Sequence, residues 1–219
     1  MSPSVDWDTV IATLREQLSR VQLPSVSQIA RFARDPFLIL ISTMISLRTK
    51  DDVTLAASER LFAVARTPAT MRAIGREPIA TLIYPAGFYR TKSGHIVDVC
   101  TILCERYSGT VPRDIDSLVE LPGVGRKTAN LVLGLGFGIP AICVDTHVHR
   151  ISNRQGWVAT RGPDQTEAAL QRVLPRAYWI EINELLVGFG QTTCTPTSPF
   201  CSRCPLATTC GRIGVTRSR

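Results

Sequence analysis

This sequence has no apolar run long enough to cross a bilayer. The longest, Pro36 to Ile45, is far short of the about 20 residues that a spanning helix needs and is interrupted by Ser42 and Thr43. The N-terminal MSPSVDWDTV lacks the basic start and continuous apolar core of a secretory signal, so an intracellular, cytoplasmic protein with reduced thiols is expected. No stretch sustains the two-residue alternation of a half-buried strand, which argues against a sheet-built fold. There is no fixed-period repeat and no low-complexity linker, so a solenoid is excluded and any domain boundary must be hidden in the topology. Disorder is excluded too: 44% of the 219 residues are hydrophobic, enough to bury a core without a disulfide scaffold.

What is present is helical periodicity broken by short Gly, Pro or Ser/Asp segments, and the fold class that follows is all-α. Residues 6–21 place Val10, Ile11, Leu14, Leu18 and Val21 on one face. Asp35-Pro36 reads as the N-cap and first position of a helix running to about Leu47. The spacing predicts further helices near 51–64, 68–74, 77–84, 90–107, 115–120, 125–137, 145–155, 164–173 and 177–188.

The 25 Lys and Arg outnumber the 18 Asp and Glu, and the net charge of +7 suits a polyanion partner, because cations that neutralise phosphates release condensed counterions. Seven cysteines in a reducing compartment argue for metal or chemistry. Cys194, Cys201, Cys204 and Cys210 form a C-x6-C-x2-C-x5-C array in a stretch too short for its own core, and Pro196, Pro199 and Pro205 limit the entropy lost on closing it. A four-thiolate metal site is the natural reading. Zinc and an iron–sulfur cluster both remain open on chemistry, and the single C-x2-C between wider gaps favours 4Fe-4S. Cys100, Cys104 and Cys143 sit among apolar neighbours and read as buried small hydrophobes.

A second feature is LPGVGRKTAN at 121–130, an apolar helix end, a tight turn and a new helix opening with Arg126 and Lys127. Gly123 and Gly125 let backbone approach a phosphate, and the N–H groups of the following helix start form an anion site suited to DNA. At Lys127 the positive end of the helix dipole and neighbouring Arg126 disfavour an ammonium ion and so favour the neutral amine a nucleophile needs; a phosphate-binding cation is the competing role. A third feature is VDTHVHR at 144–150. Asp145 reads as the N-cap of the next helix, a role compatible with a placed base or electrostatic partner, and His147 and His149 read as supporting or surface residues.

Together these three features resemble the endonuclease III family of DNA glycosylases, in the helix-hairpin-helix superfamily. The order and separations also fit, with Lys127 and Asp145 18 residues apart and the cysteines C-terminal; SLRTKD and GFYRTKS extend the likeness over nearly the whole chain. The resemblance implies a six-helix domain with the hairpin at 29–139, a discontinuous cluster domain at 1–28 and 140–219, and a DNA groove between them. It implies Lys127 and Asp145 as catalytic residues and Cys194, Cys201, Cys204 and Cys210 as ligands of a 4Fe-4S cluster. The implied partner is duplex DNA with a damaged base or abasic site, bound by a monomer without a membrane. The implied reaction is excision of oxidised or ring-saturated pyrimidines, then strand cleavage by β-elimination.

Two positions depart from the family pattern. Arg48 stands where glutamine is common in the segment that fills the gap left by an extruded base, and Phe88 where a leucine wedge is common. An arginine can hydrogen-bond an orphaned base and a phenylalanine can stack between bases; phosphate contact or a surface salt bridge for Arg48, and core packing for Phe88, are the alternatives. Arg126, Lys127, Arg48, Arg90, Lys92 and Arg203 are expected to border the DNA-facing groove. Rival readings are a mismatch-specific glycosylase of the same superfamily, which Lys127 argues against, and a non-catalytic DNA-binding iron–sulfur protein.

Overall fold

Trp7, Val10, Ile11, Leu14 and Leu18 fall at the three- and four-residue intervals that share a helix face, and in the computed structural model they are the buried side of α1 (Trp7–Leu18). The structure describes residues 5–20 and 23–219, so Val21, assigned to this stripe from the sequence, lies outside the described residues. Helix α1 opens on Asp6, whose carboxylate accepts from the Thr9 amide at 3.2 Å and the Thr9 hydroxyl at 2.7 Å. The described residues contain helices and no strands.

The chain forms two units, one taking the chain to Pro24 and from Pro140 onward, the other Ser25–Ile139. The second begins with α2 (Ser25–Ala33), for which the sequence reading had no helix. Its carboxylate partner comes from elsewhere: Asp51 accepts from the Ser25 amide at 3.2 Å and hydroxyl at 2.8 Å, a contact with no local sequence signal. Val26, Ile29 and Ala30 then bury one side of the helix.

Helix α3 (Pro36–Ser46) holds the long apolar run. Asp35 caps it through the Phe37 amide at 2.8 Å, as expected, and every residue from Phe37 to Ile45 is buried. A helix apolar all round must be surrounded, and α3 packs against α2, α4 (Asp51–Val64), α7 (Tyr89–Arg106), α9 (Arg126–Leu131) and the π-helical turn Val132–Gly136 that continues α9. Helices α5 (Pro68–Ile74) and α6 (Arg76–Ile83) pack on α7, and α8 (Ile115–Val119) precedes α9. The sequence predicts one regular helix over 125–137. The π turn differs at a tightly packed point: Val132, Leu133 and Gly134 are buried in succession, and a Cβ at Gly136 would lie 3.1 Å from Pro36 Cα.

In the first unit, α10 (Thr146–Gln155), α11 (Pro163–Val173) and α12 (Ile182–Thr192) complete the fold. Leu185, Leu186 and Phe189 of α12 join the α1 stripe and Val148 and Ile151 of α10 in one core. The last helix starts later than the predicted 177, because the Trp179 indole donates to the Leu174 carbonyl at 2.9 Å and holds the preceding segment as a loop with a short 3-10 turn. Among the described residues no helix is long and apolar enough to cross a membrane.

The account of α3 predicts that Ile41→Ala, at a fully buried site, lowers unfolding free energy by about 2–5 kcal/mol in denaturant titration. Val64→Ala, at a position 56% exposed, is expected to stay within about 0.5 kcal/mol.

Candidate active site

The hairpin is built from an anchored turn. Asp114 caps α8 through the Ser117 amide at 2.8 Å, and the Val124 amide closes the following turn on the Leu121 carbonyl at 3.0 Å. Leu121 and Val124 are both buried, so the turn is pinned into the core by two side chains. Gly123 has φ +76°, and a Cβ there would lie 2.6 Å from His95 Nδ1, so the fold itself demands glycine. Gly125 differs: its φ is ordinary and an added Cβ would meet nothing within 4 Å. The protein interior gives no reason for a glycine at that position.

Gly125 is the N-cap of α9 and brings no side chain to cap it. Thr128, Ala129 and Asn130 are buried while Arg126 and Lys127 are exposed, so the helix is held by one side and presents both cations on the other. Only three lysines occur in the chain, Lys50, Lys92 and Lys127.

Asp145 belongs to the other unit. The apolar segment Ala141–Val144 is buried, with the Cys143 carbonyl accepting from Asn183 Nδ2 at 3.0 Å. This delivers Asp145 to the start of α10, where Oδ1 accepts from the His147 and Val148 amides at 2.8 and 2.9 Å. The carboxylate is thereby fixed through one oxygen, and Oδ2 accepts no hydrogen bond from the described residues. His149 shares a proton with Thr166 Oγ1 at 2.7 Å, and His147 Nδ1 lies 3.1 Å from Arg150 Nη2; both histidines support the packing of this unit.

Arg48 and Phe88 lie in the hairpin-bearing unit and are both exposed, Phe88 by 60%, which removes core packing as its role. The Arg48 guanidinium stacks over the Phe88 ring, 5.0 Å from its centroid. Both residues are left-handed, with φ +54° and +58°. Holding two non-glycine residues there costs on the order of 1–3 kcal/mol each, which surrounding structure has to offset. Arg90 and Arg203 are exposed as expected and stack on Tyr89 and Phe200.

Lys92 corrects the sequence reading. It was expected among the groove-bordering cations, yet it is only 7% exposed. Its ammonium donates to the Ile45 and Leu47 carbonyls, each at 2.6 Å, and to Thr49 Oγ1 at 2.9 Å. The physical reason is the end of α3, whose last carbonyls lack helical partners and attract a cation. Burial pulls the Lys92 pKa down to about 8.

The four cysteines of the C-terminal array line one small cavity of about 20 Å³ in the first unit, together with Arg154, Gln155 and Phe200. Among the described residues no three Cys, His, Asp or Glu side chains converge closely enough to hold a single metal ion, so the thiols ring a space and do not meet at a point. Burial pushes the Cys204 and Cys210 thiols up, and the neighbouring thiols reinforce it. The loop is tied down by Arg154, which donates to the Thr195 and Pro196 carbonyls at 2.7 and 2.5 Å and approaches Cys194 Sγ at 3.7 Å. Arg150 adds a bond to the Cys194 carbonyl at 2.9 Å. The sequence reading missed these two; their signal is the four-residue spacing of two arginines on the helix that Asp145 caps. Cys100 and Cys143 are buried as expected, the Cys100 thiol pushed up to about 12 by burial, while Cys104 is partly exposed.

Comparison with known proteins identifies the family and the fold. The model of the HhH-GPD superfamily base excision DNA repair proteins matches residues 41–176. Endonuclease III of Thermotoga maritima is 51% identical over 176 residues, covering 80% of this chain and 83% of the relative. A solved structure of a trapped endonuclease III–DNA covalent intermediate with an estranged adenine superposes with a TM-score of 0.80 at 34% identity, covering 94% of this chain and 96% of that one. A non-covalent endonuclease III–DNA complex gives 0.81 at 35% identity, covering 94% and 95%. With the hairpin, the capped aspartate and the cysteine loop on a fold shared at this level, the chain belongs to the HhH-GPD superfamily of base excision DNA repair proteins and, within it, to the endonuclease III family.

Proposed function

We propose that this chain is a DNA glycosylase/AP lyase that excises oxidised or ring-saturated pyrimidines from duplex DNA and cleaves the strand at the abasic site, with Lys127 as nucleophile. The observation that carries the reading is the exposed Lys127 amine in the first turn of a helix with no side-chain cap, on a turn anchored by buried Leu121 and Val124. Of the other lysines, Lys92 is committed to three acceptors and Lys50 is the N-cap residue of α4. The trapped covalent DNA intermediate of a related endonuclease III is the kind of species such an amine forms.

Extrusion comes first, because C1′ cannot be reached by a side chain while the nucleotide is stacked, and a damaged base costs less to unstack. The neutral Lys127 Nζ attacks C1′, the bond to the base breaks, and the base leaves with the bonding pair and takes up a proton. The sugar ring opens and the lysine nitrogen becomes an imine at C1′. That imine acidifies the C2′ hydrogen; its removal expels the 3′ phosphate, so one lysine performs both steps. Asp145 offsets positive charge on the sugar or takes a proton from the lysine, through the oxygen its cap leaves open.

DNA binding rests on the Gly123–Arg126 backbone and on Arg48 and Phe88. The open space at Gly125, at the start of a helix, suits a backbone phosphate. Arg48 and Phe88, exposed and stacked together, suit the gap left by the extruded base, the arginine bonding the orphaned partner and the ring wedging the stack. One chain carries hairpin, carboxylate and cysteines, so a monomer is the acting form.

Cys194, Cys201, Cys204 and Cys210 are the residues that hold a 4Fe-4S cluster in this reading. Thiols ringing a cavity, not meeting at one point, fit separate iron atoms better than one zinc ion. When bound, such a cluster cross-links a loop that has little core of its own.

Lys127→Gln is expected to abolish both abasic-strand cleavage and borohydride trapping of a protein–DNA adduct while still binding DNA; an adduct that survives the substitution rejects the assignment. Asp145→Asn, which keeps a capping oxygen, is expected to slow excision by about 10²–10⁴-fold with binding largely retained. Equal loss of binding would leave Asp145 only its cap. Purified protein is expected to carry about four iron and about four acid-labile sulfide per chain, lowered in Cys204→Ala; a colourless protein holding zinc contradicts the cluster.

A further inference from the structure

The buried ammonium of Lys92 sits where two exposed turns meet. Its three protons are all used, on Ile45 O, Leu47 O and Thr49 Oγ1. The two carbonyls belong to the end of α3 and its turn, which Arg48 continues. Thr49 Oγ1 in turn accepts from the Gly87 amide at 3.0 Å, in the turn that ends at Phe88. A chain of bonds therefore runs from Lys92 through Thr49 to the residue before Phe88. Contact between the turns is direct as well: a methyl group added at Gly87 would collide with the Arg48 carbonyl oxygen. Arg48 and Phe88, both left-handed, face each other across this junction at 5.0 Å. Lys92 itself lies one helical turn into α7, its amide bonded to the Phe88 carbonyl at 3.0 Å.

We propose that Lys92 is a positioning residue for base extrusion: by clamping the 46–49 turn to the 85–88 turn through Thr49, it holds Arg48 and Phe88 as one rigid pair that enters the duplex together. The inference rests on the reading that these two residues fill the gap. The ammonium contacts neither DNA nor the reacting atoms. Two strained, exposed residues keep a fixed separation because a buried cation with three oxygen acceptors holds their backbones, and no glycine at 48 or 88 supplies the conformation instead. Displacing the pair by an ångström is enough to lose about 100-fold in rate.

The test is a cycle of single-turnover excision rates on a thymine glycol duplex, with the full-length, cluster-loaded protein. Lys92→Met is made in the unchanged chain and in an Arg48→Ala/Phe88→Ala background. The proposal predicts a loss of about 10- to 100-fold in the unchanged chain and less than about 3-fold in the background where the pair is already gone. The same fold-loss in both backgrounds would make Lys92 merely structural and overturn it. If Arg48→Ala/Phe88→Ala leaves excision unchanged, the gap-filling reading fails, and this inference with it. Thr49→Ala removes the bridging oxygen while leaving Lys92 its two carbonyls; should Lys92→Met not fold, the same cycle with Thr49→Ala decides, a smaller loss in the background supporting the clamp and an equal loss overturning it.

Discussion

The pinned turn between α8 and α9 is the constraint on which the chemistry depends. A lysine that is to attack DNA has to be reachable from outside the protein, and an exposed lysine on a short helix would ordinarily wander. Here Leu121 and Val124 are sunk in the core, Gly123 is forced close to His95, and Thr128, Ala129 and Asn130 bury the other side of the helix. The freedom left to Lys127 is that of its own side chain. The same turn starts α9 on Gly125, which brings no capping side chain. Anchoring and openness come from adjacent residues: the fold requires glycine at Gly123, while a Cβ at Gly125 would meet nothing within 4 Å.

A similar division governs the first unit. Asp145 uses one carboxylate oxygen to start α10 and keeps the other, while Arg150 and Arg154 on the same helix reach the carbonyls of the cysteine loop. A single helix thus organises both a carboxylate suited to chemistry and a loop suited to a metal cluster. That helix packs on α12, which in turn packs on α1 from the other end of the chain, which is why this unit is discontinuous and why no linker marks it in the sequence.

Much of this was legible because it rests on local physics. Caps at Asp35 and Asp145, the Pro-Gly-Val-Gly turn, the cysteine spacing and the α1 stripe each lie within a few residues of what they determine. What was illegible depends on distant partners. Helix α2 draws its carboxylate from Asp51, and Lys92 is buried by carbonyls of Ile45 and Leu47, backbone atoms with no signature in the side-chain sequence. A lysine beside exposed arginines reads as one more surface cation until those acceptors are seen. Nor do Arg48 and Phe88 announce a left-handed backbone, since neither is the glycine or asparagine that usually marks one.

The central claim is that Lys127 is the amine that joins DNA, and with only three lysines in the chain it can be tested at single-residue level. The direct measurement is peptide mapping by mass spectrometry of the borohydride-reduced adduct formed on an abasic duplex. The account predicts that the sugar remnant is carried by Lys127. A remnant on Lys50 or on the N-terminal amine, with Lys127 unmodified, would contradict it.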